Sequence, residues 1–277
     1  MEFSTLENVP LAVIVDVFTQ SFSDYRIPMM PTEDSLRAKM ISENIKPQTS
    51  AGAFAEGKLV GLILNGVDEI DGEKRVFNAG TGVIPEYRGQ QATEKMYSFI
   101  IPLLKQQGYK YHQLEVLRDN IRAKKVYEKV GFTDYRQLSC YKGIVDKPLA
   151  DGIVIKEAGM PDWNLAKSFW NVEPTWQNNI HSVQRSGDRY KTALAYLDND
   201  FSGYVVYDPV SRRIKQFAVR RDARGKGVGT ALFSHVNIMT GQIVLTNYDE
   251  SDAESHKAFT AWGLEPQYPM YEMILKL

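Results

Sequence analysis

The chain has 277 residues, 43% of them apolar and 24% charged, and a formal net charge of -1 at neutral pH. That length favours two domains, and that balance describes an ordinary globular protein with no general pull toward nucleic acid or an anionic membrane. Its single cysteine, Cys140, excludes an intramolecular disulfide and fits a reducing cytoplasm, while four scattered histidines offer no zinc spacing, so no metal is expected.

No apolar run approaches the roughly 18 residues of a membrane span. The stretch from Val9 to Val17 lacks a basic leader and is interrupted by Pro10 and Asp16, so it is not expected to be a secretory signal. Leu11, Ile14, Val15 and Phe18 fall at helical spacing. Pro28 and Pro31 then break the chain, and Thr32 caps a predicted second helix reaching about Ile45.

Two β-like runs, Ala51 to Ala55 and Leu59 to Leu64, are joined by Glu56, Gly57 and Lys58 as in a hairpin. A strand over about Arg75 to Val83 leads into a loop and a helix with apolar spacing at Met96, Tyr97, Ile100, Ile101 and Leu104. Pro102 predicts a kink or an end in that helix. Tyr111 to Leu117 reads as a buried strand. Asn120 caps a short helix with a face of Ala123, Val126, Tyr127 and Val130, and Gly131 stops it. After a strand around Gln137 to Lys142, the segment from Ile144 to Gly152 looks like a linker.

The order then restarts. Two helix-like stretches contain Trp163, Trp170 and Trp176, which are expected in the core or at a domain interface rather than in an acceptor pocket. Thr192 to Leu197 and Gly203 to Tyr207 form a hairpin around Asp198, Asn199 and Asp200. A strand carrying Ile214, Phe217 and Val219 runs into Gly225, Gly227 and Gly229, and a helix follows to Gly241. Ile243 to Asn247 reads as a strand, and Asp252 caps a helix with a face of Ser255, Ala258, Phe259 and Trp262, stopped by Gly263. Those four positions repeat Ala123, Val126, Tyr127 and Val130 at a constant offset. A tandem α/β architecture follows, with domains at 1–145 and 153–277 and a linker at 146–152.

The glycine loop carries the first functional signal. Where a strand turns tightly into a helix, unpaired N–H groups and the helix dipole favour an anion such as a pyrophosphate, and glycine permits close approach. The run from Val219 to Leu232 resembles the cofactor loop of the GNAT family of N-acetyltransferases, with Arg224, Gly227 and Gly229 at its motif positions. The resemblance extends over most of both halves and implies two tandem domains, each a mixed, mostly antiparallel sheet flanked by helices. In the first half Arg88 matches, whereas Gln91 and Thr93 replace the two glycines.

The resemblance implies that acetyl-coenzyme A, as co-substrate, is held by Val83, Arg88, Gly89, Gln90, Gln91, Ala92, Thr93 and Asn120 in the first half. In the second it implies Val219, Arg224, Gly225, Lys226, Gly227, Val228, Gly229 and Thr230. The run from Leu114 to Phe132 further resembles the acetyltransferases that modify the N-termini of ribosomal proteins, which implies Glu115 as general base and Tyr127 as general acid. Tyr127 also fits a core tyrosine, and Glu115 a solvent-facing strand residue.

The equivalents in the second half are Asn247 and Phe259, which move no proton. Either the first half acetylates and the second supports it, or the second half works with Tyr248, Tyr268 or Tyr271 as donor. The expected acceptor is a small-molecule amine or a peptide N-terminus. The competing expectation is a catalytically lapsed acyl-coenzyme A-binding or regulatory protein.

Overall fold

The computed structural model describes residues 1–25 and 29–277. By contacts, Met1–Tyr135 with Tyr271–Leu277 make one compact unit and Arg136–Met270 the other. Pro28 lies outside the described residues.

The first unit begins with β1 (Glu2–Thr5), α1 (Leu11–Ser21) and α2 (Glu33–Ser42). Thr32 caps α2 by accepting from the Ser35 amide. Next come β2 (Ala51–Ala55), β3 (Lys58–Ile70), β4 (Glu73–Val83), α3 (Ala92–Gln106), β5 (Tyr111–Leu117) and α4 (Ile121–Val130). β1 to β4 pair antiparallel in turn, and β5 joins β4 in parallel. α3 runs through Pro102 rather than ending there. Proline removes one donor, but the buried face of Met96, Tyr97, Ile100 and Leu104 keeps the helix docked on both sides of it. Asn120 accepts from the Ala123 amide and Gly131 closes α4 at φ 110°.

The second unit takes most of β6 (Thr133–Gly143), then β7 (Ile153–Ala158), α5 (Trp163–Lys167), α6 (Ile180–Arg185), β8 (Lys191–Leu197), β9 (Asp200–Asp208) and β10 (Arg213–Val219). α7 (Val228–Thr240), β11 (Ile243–Asp249), α8 (Ala253–Trp262) and β12 (Leu264–Lys276) complete the chain. Asp198 and Asn199 sit at φ 51° and 71°, as a two-residue hairpin turn of strand-compatible twist requires. β10 and β11 are parallel, whereas β7–β8, β8–β9, β9–β10 and β6–β11 are antiparallel. α7 and α8 cover one face of the sheet, where Phe233, Val236 and Phe259 are buried; Ala166 and Val183 of α5 and α6 belong to a second buried cluster. The helical opening is shorter than the sequence pattern suggests: α5 has 5 residues, α6 has 6, and Trp170 lies outside both.

Each sequence half gives up its last strand. Arg136–Gly143 packs in the second unit, where Tyr141 is part of the core, and Tyr271–Leu277 packs in the first, where Met273 is fully buried. β1 and β7, not evident from the sequence pattern, add an edge strand to each unit, pairing with β2 and β8.

Candidate active site

Both units open their sheet at the same place and by the same device. In β4 the pairing with β3 shifts register between Leu64 and Asn65, so that Ala79 is the extra residue. In β10 the shift falls at Lys215. A bulge bends its strand and increases the local twist. The parallel pairing accordingly ends at Asn78 and Leu114 in the first unit and at Ile214 and Leu245 in the second. Past that point a cleft of about 420 Å³ lies in the second unit, with Phe217 and Val219 on one wall and Asn247 and Tyr248 on the other.

The loops after the two strands share one backbone path. A single 3-10 turn, Pro85–Tyr87 or Arg221–Ala223, is followed by an extended arginine and then two left-handed positions before the helix. Those are Gly89 (φ 79°) and Gln91 (φ 58°) in the first unit, and Gly225 (φ 71°) and Gly227 (φ 90°) in the second. Gln91 therefore keeps the shape that glycine would give, at a cost of about 1–2 kcal/mol. No side chain caps either helix start, so the first N–H groups of α3 and α7 have no intrahelical acceptor. α7 has no acidic residue in its first turn, whereas α3 has Glu94. The dipole at Val228, Gly229 and Thr230 is therefore not offset by a carboxylate in the helix's own first turn. A Cβ on Gly225 would meet open space, and Lys226 beside it is exposed.

The second glycine of the motif has a packing reason. A Cβ on Gly229 would stand 3.1 Å from the Trp262 ring. The first unit has Val130 where the second has Trp262, and there Thr93 fits.

Arg88 and Arg224 point inward. Arg88 Nε donates to Val83 O at 3.0 Å, and its Nη atoms donate to Ser21 O at 3.0 Å and to the Asp24 carboxylate at 2.6 and 2.9 Å. Arg224 Nε donates to Val219 O at 3.1 Å, and its Nη atoms donate to Phe169 O at 2.9 Å and Asn171 Oδ1 at 2.7 Å.

Tyr127 of α4 is 9% exposed, with its ring edge-on to Tyr97 at 6.2 Å and to Phe132 at 5.9 Å. Burial pushes its phenol up to about 12, against the opposing pull of the Thr81 and Asn78 side chains. Asn78 Nδ2 donates to Tyr97 Oη and to Thr81 Oγ1, both at 2.6 Å. Glu115, half-buried, is the first residue of β5 beyond the last pair with β4. Asn120 Nδ2 reaches Tyr25 Oη at 3.3 Å.

At the equivalent positions the second unit carries Ile214, Phe217, Phe233 and Phe259. Phe217 meets Phe233 at 5.0 Å and Phe259 at 5.7 Å, so an apolar cluster replaces the polar one. Asn247, in place of Glu115, sits at φ 57° in the bulged part of β11. Of the second half's alternative donors, Tyr248 lines the cleft but donates to Asp252 Oδ2 at 2.6 Å, and burial, together with that carboxylate, drives its pKa far up. Tyr271 belongs to the first unit, under Arg118 and Lys124. Trp170, expected in the core or at a domain interface, packs against the buried cluster around Tyr204, donates to Tyr204 Oη at 2.7 Å and also lines the cleft; Trp176 is buried.

A family-wide sequence profile decides the assignment: residues 14–132 and 157–237 match that of the acetyltransferase (GNAT) family. The chain belongs to the GNAT family. Solved GNAT structures share its fold over nearly the whole length. A tandem GNAT protein from the clavulanic acid biosynthesis pathway aligns with 99% of this chain and 98% of its own at 14% identity, TM-score 0.71. A GNAT enzyme from Sphaerobacter thermophilus aligns over 99% and 95% at 15% identity, TM-score 0.73, and a putative acetyltransferase from Pyrococcus horikoshii over 100% and 89% at 12% identity, TM-score 0.71. No curated protein sequence matches the chain. Among the described residues of this GNAT protein no group of three or more His, Cys, Asp or Glu could hold a metal ion, and no helix is long and apolar enough to cross a membrane.

Proposed function

We propose that the protein transfers acetyl from acetyl-coenzyme A directly to an amine, and that the first unit performs the transfer. The observation that carries this is the polar group of Asn78, Thr81, Tyr97 and Tyr127 at the open end of β4 and β5, beside Glu115. Acetyl-coenzyme A supplies the activated acyl group as a thioester. Backbone N–H groups at the start of α3 would hold its pyrophosphate.

An amine with pKa of about 8–10.4 is mostly protonated at pH 7, and only its neutral form attacks. Glu115 would accept that proton, directly or through water. The new N–C bond forms as the C–S bond breaks. Tyr127, with its phenol near 12, stays protonated at neutral pH and donates a hydrogen bond to the departing sulfur. Because a free thiol titrates near 8.5, Tyr127 is the weaker acid of the two, and its main contribution is to stabilise the leaving thiolate while a proton arrives. The acceptor would be a small-molecule amine or a peptide N-terminus.

A second reading fits the second unit. Its cleft joins an anion-ready loop to a wall where Asn247 stands for the base, while Phe259, which stands for the acid, is buried in the core beneath. There the unit binds an acyl-coenzyme A without turning it over. Thiol release from acetyl-coenzyme A across an amine panel tests both readings, with calorimetry alongside it. Binding without release by any amine would favour a lapsed binding protein.

A further inference from the structure

We propose that Arg88 and Arg224 are positioning residues: each latches a short strap that reaches from the start of the glycine loop to the cap of α4 or α8, and neither is a phosphate ligand. The inference rests on the acyl-transfer reading for its functional meaning, but the latch is a feature of the free protein.

The same path is built twice from different residues. In the first unit it runs from Arg88 to Asp24 and Ser21 O, then through the neighbouring Tyr25 to Asn120, the cap of α4. In the second it runs from Arg224 to Asn171 and Phe169 O, and Asn171 Nδ2 donates to Asp252 Oδ1, the cap of α8, at 3.2 Å. Each arginine also holds the last carbonyl of its strand, Val83 or Val219.

The loop follows one splayed strand and the cap follows the other, so the strap ties together the two sides of the opening. In the second unit Asn171, Arg224 and Asp252 all line the cleft. A guanidinium binds through a planar fork, and here that fork is directed at carbonyls and strap side chains of its own chain. The hydrogen-bonding partner on the strap can change from a carboxylate, Asp24, to an amide, Asn171, with the Glu254 carboxylate of α8 standing 3.6 Å from the Arg224 Nη1. What the two units share is the geometry of the bond. The Arg88 guanidinium beside Asp24 also holds its carboxyl below the usual range.

The test uses full-length Arg88→Lys and Arg224→Lys, which keep the charge and lose the fork. In the free protein, hydrogen exchange at the amides of 22–25 should rise about tenfold in the first variant, and at 169–171 in the second, as a bond network of this kind predicts. Affinities for acetyl-coenzyme A and for acetylpantetheine, which has no phosphate, should fall by the same factor. Asp24→Asn should put an amide on the strap, as Asn171 does in the second unit, and leave exchange near the wild-type rate, whereas Asp24→Ala should not. Unchanged exchange, with acetyl-coenzyme A weakened and acetylpantetheine unaffected, would overturn the latch and make the arginines phosphate ligands. If the wild type binds neither thioester, the acyl-transfer reading fails while the exchange result still decides the latch.

Discussion

At four equivalent places the first unit carries Asn78, Thr81, Tyr97 and Tyr127, and the second carries Ile214, Phe217, Phe233 and Phe259. Both sets close around the same strand opening, one as a hydrogen-bonded group and the other as an apolar cluster of packed rings, mostly edge to face. The loops divide in the opposite sense: Gly227 and an acid-free first turn in the second unit, Gln91 and Glu94 in the first. A fold with a bulge, a left-handed loop position and a capped helix is thus maintained by two different side-chain sets. What the side chains at the opening can do chemically separates the units, and the frame does not.

The largest effect should come from the exchanged strand. Met273 is fully buried in the first unit, so Met273→Ala should destabilise it by about 2–5 kcal/mol, and removal of residues 271–277 should abolish its cooperative unfolding. Exchange resolved by unit reads both.

Acid should also strike the first unit. His112 is buried between Tyr97 and Phe132, with Nε2 at 3.1 Å from Asn65 Oδ1, and burial lowers its pKa to about 3. Its folded value lies below the unfolded one near 6.5, so the neutral ring's contribution is complete above pH 6.5 and is lost as pH falls toward 3. The loss is on the order of 5 kcal/mol. His112→Leu should flatten that part of the stability profile, measured by denaturant midpoints between pH 7 and 4.

Exchanging the chemistry of the two openings gives a smaller effect. Phe259→Tyr would bury a hydroxyl among Phe217, Phe233 and Tyr141 and should cost about 1–3 kcal/mol, whereas the same hydroxyl at Tyr127 has Thr81 and Asn78 nearby. The smallest expected effect is at the loop. Gln91→Gly should relieve the left-handed strain by about 1 kcal/mol, offset in part by unfolded-chain entropy, and tighten acetyl-coenzyme A in the first unit. Thermal midpoints and calorimetry read these changes.

Much of this frame is legible in the residues. Asn120 and Asp252 followed by helical spacing, with Gly131 and Gly263 as stops, mark α4 and α8, and the Asp198–Asn199 pair marks a hairpin, because caps and turns are local chemistry. Pro102 misleads because a buried face on either side outweighs one missing donor. The strand exchange is not legible: alternation identifies a strand and says nothing of which sheet receives it. The polar group around Tyr127 is equally hidden, because the bulge at Ala79 decides which way Asn78 and Thr81 face. Gln91 looks like a damaged motif in sequence, yet its backbone adopts the conformation of Gly227. Gly229 looks like a cofactor glycine, and it also makes room for Trp262.

The division between the units is tested most directly by comparing Tyr127→Phe with Gly227→Trp for acetyl-coenzyme A binding and for amine-dependent thiol release. Tyr127→Phe should keep the binding sites of the wild type and lose about 10²–10⁴ in turnover. Gly227→Trp, strained at φ 90° and crowded by Ala150, should lose the site of the second unit while release continues. Release abolished by Gly227→Trp and undiminished in Tyr127→Phe would contradict the account and move the chemistry to the second unit.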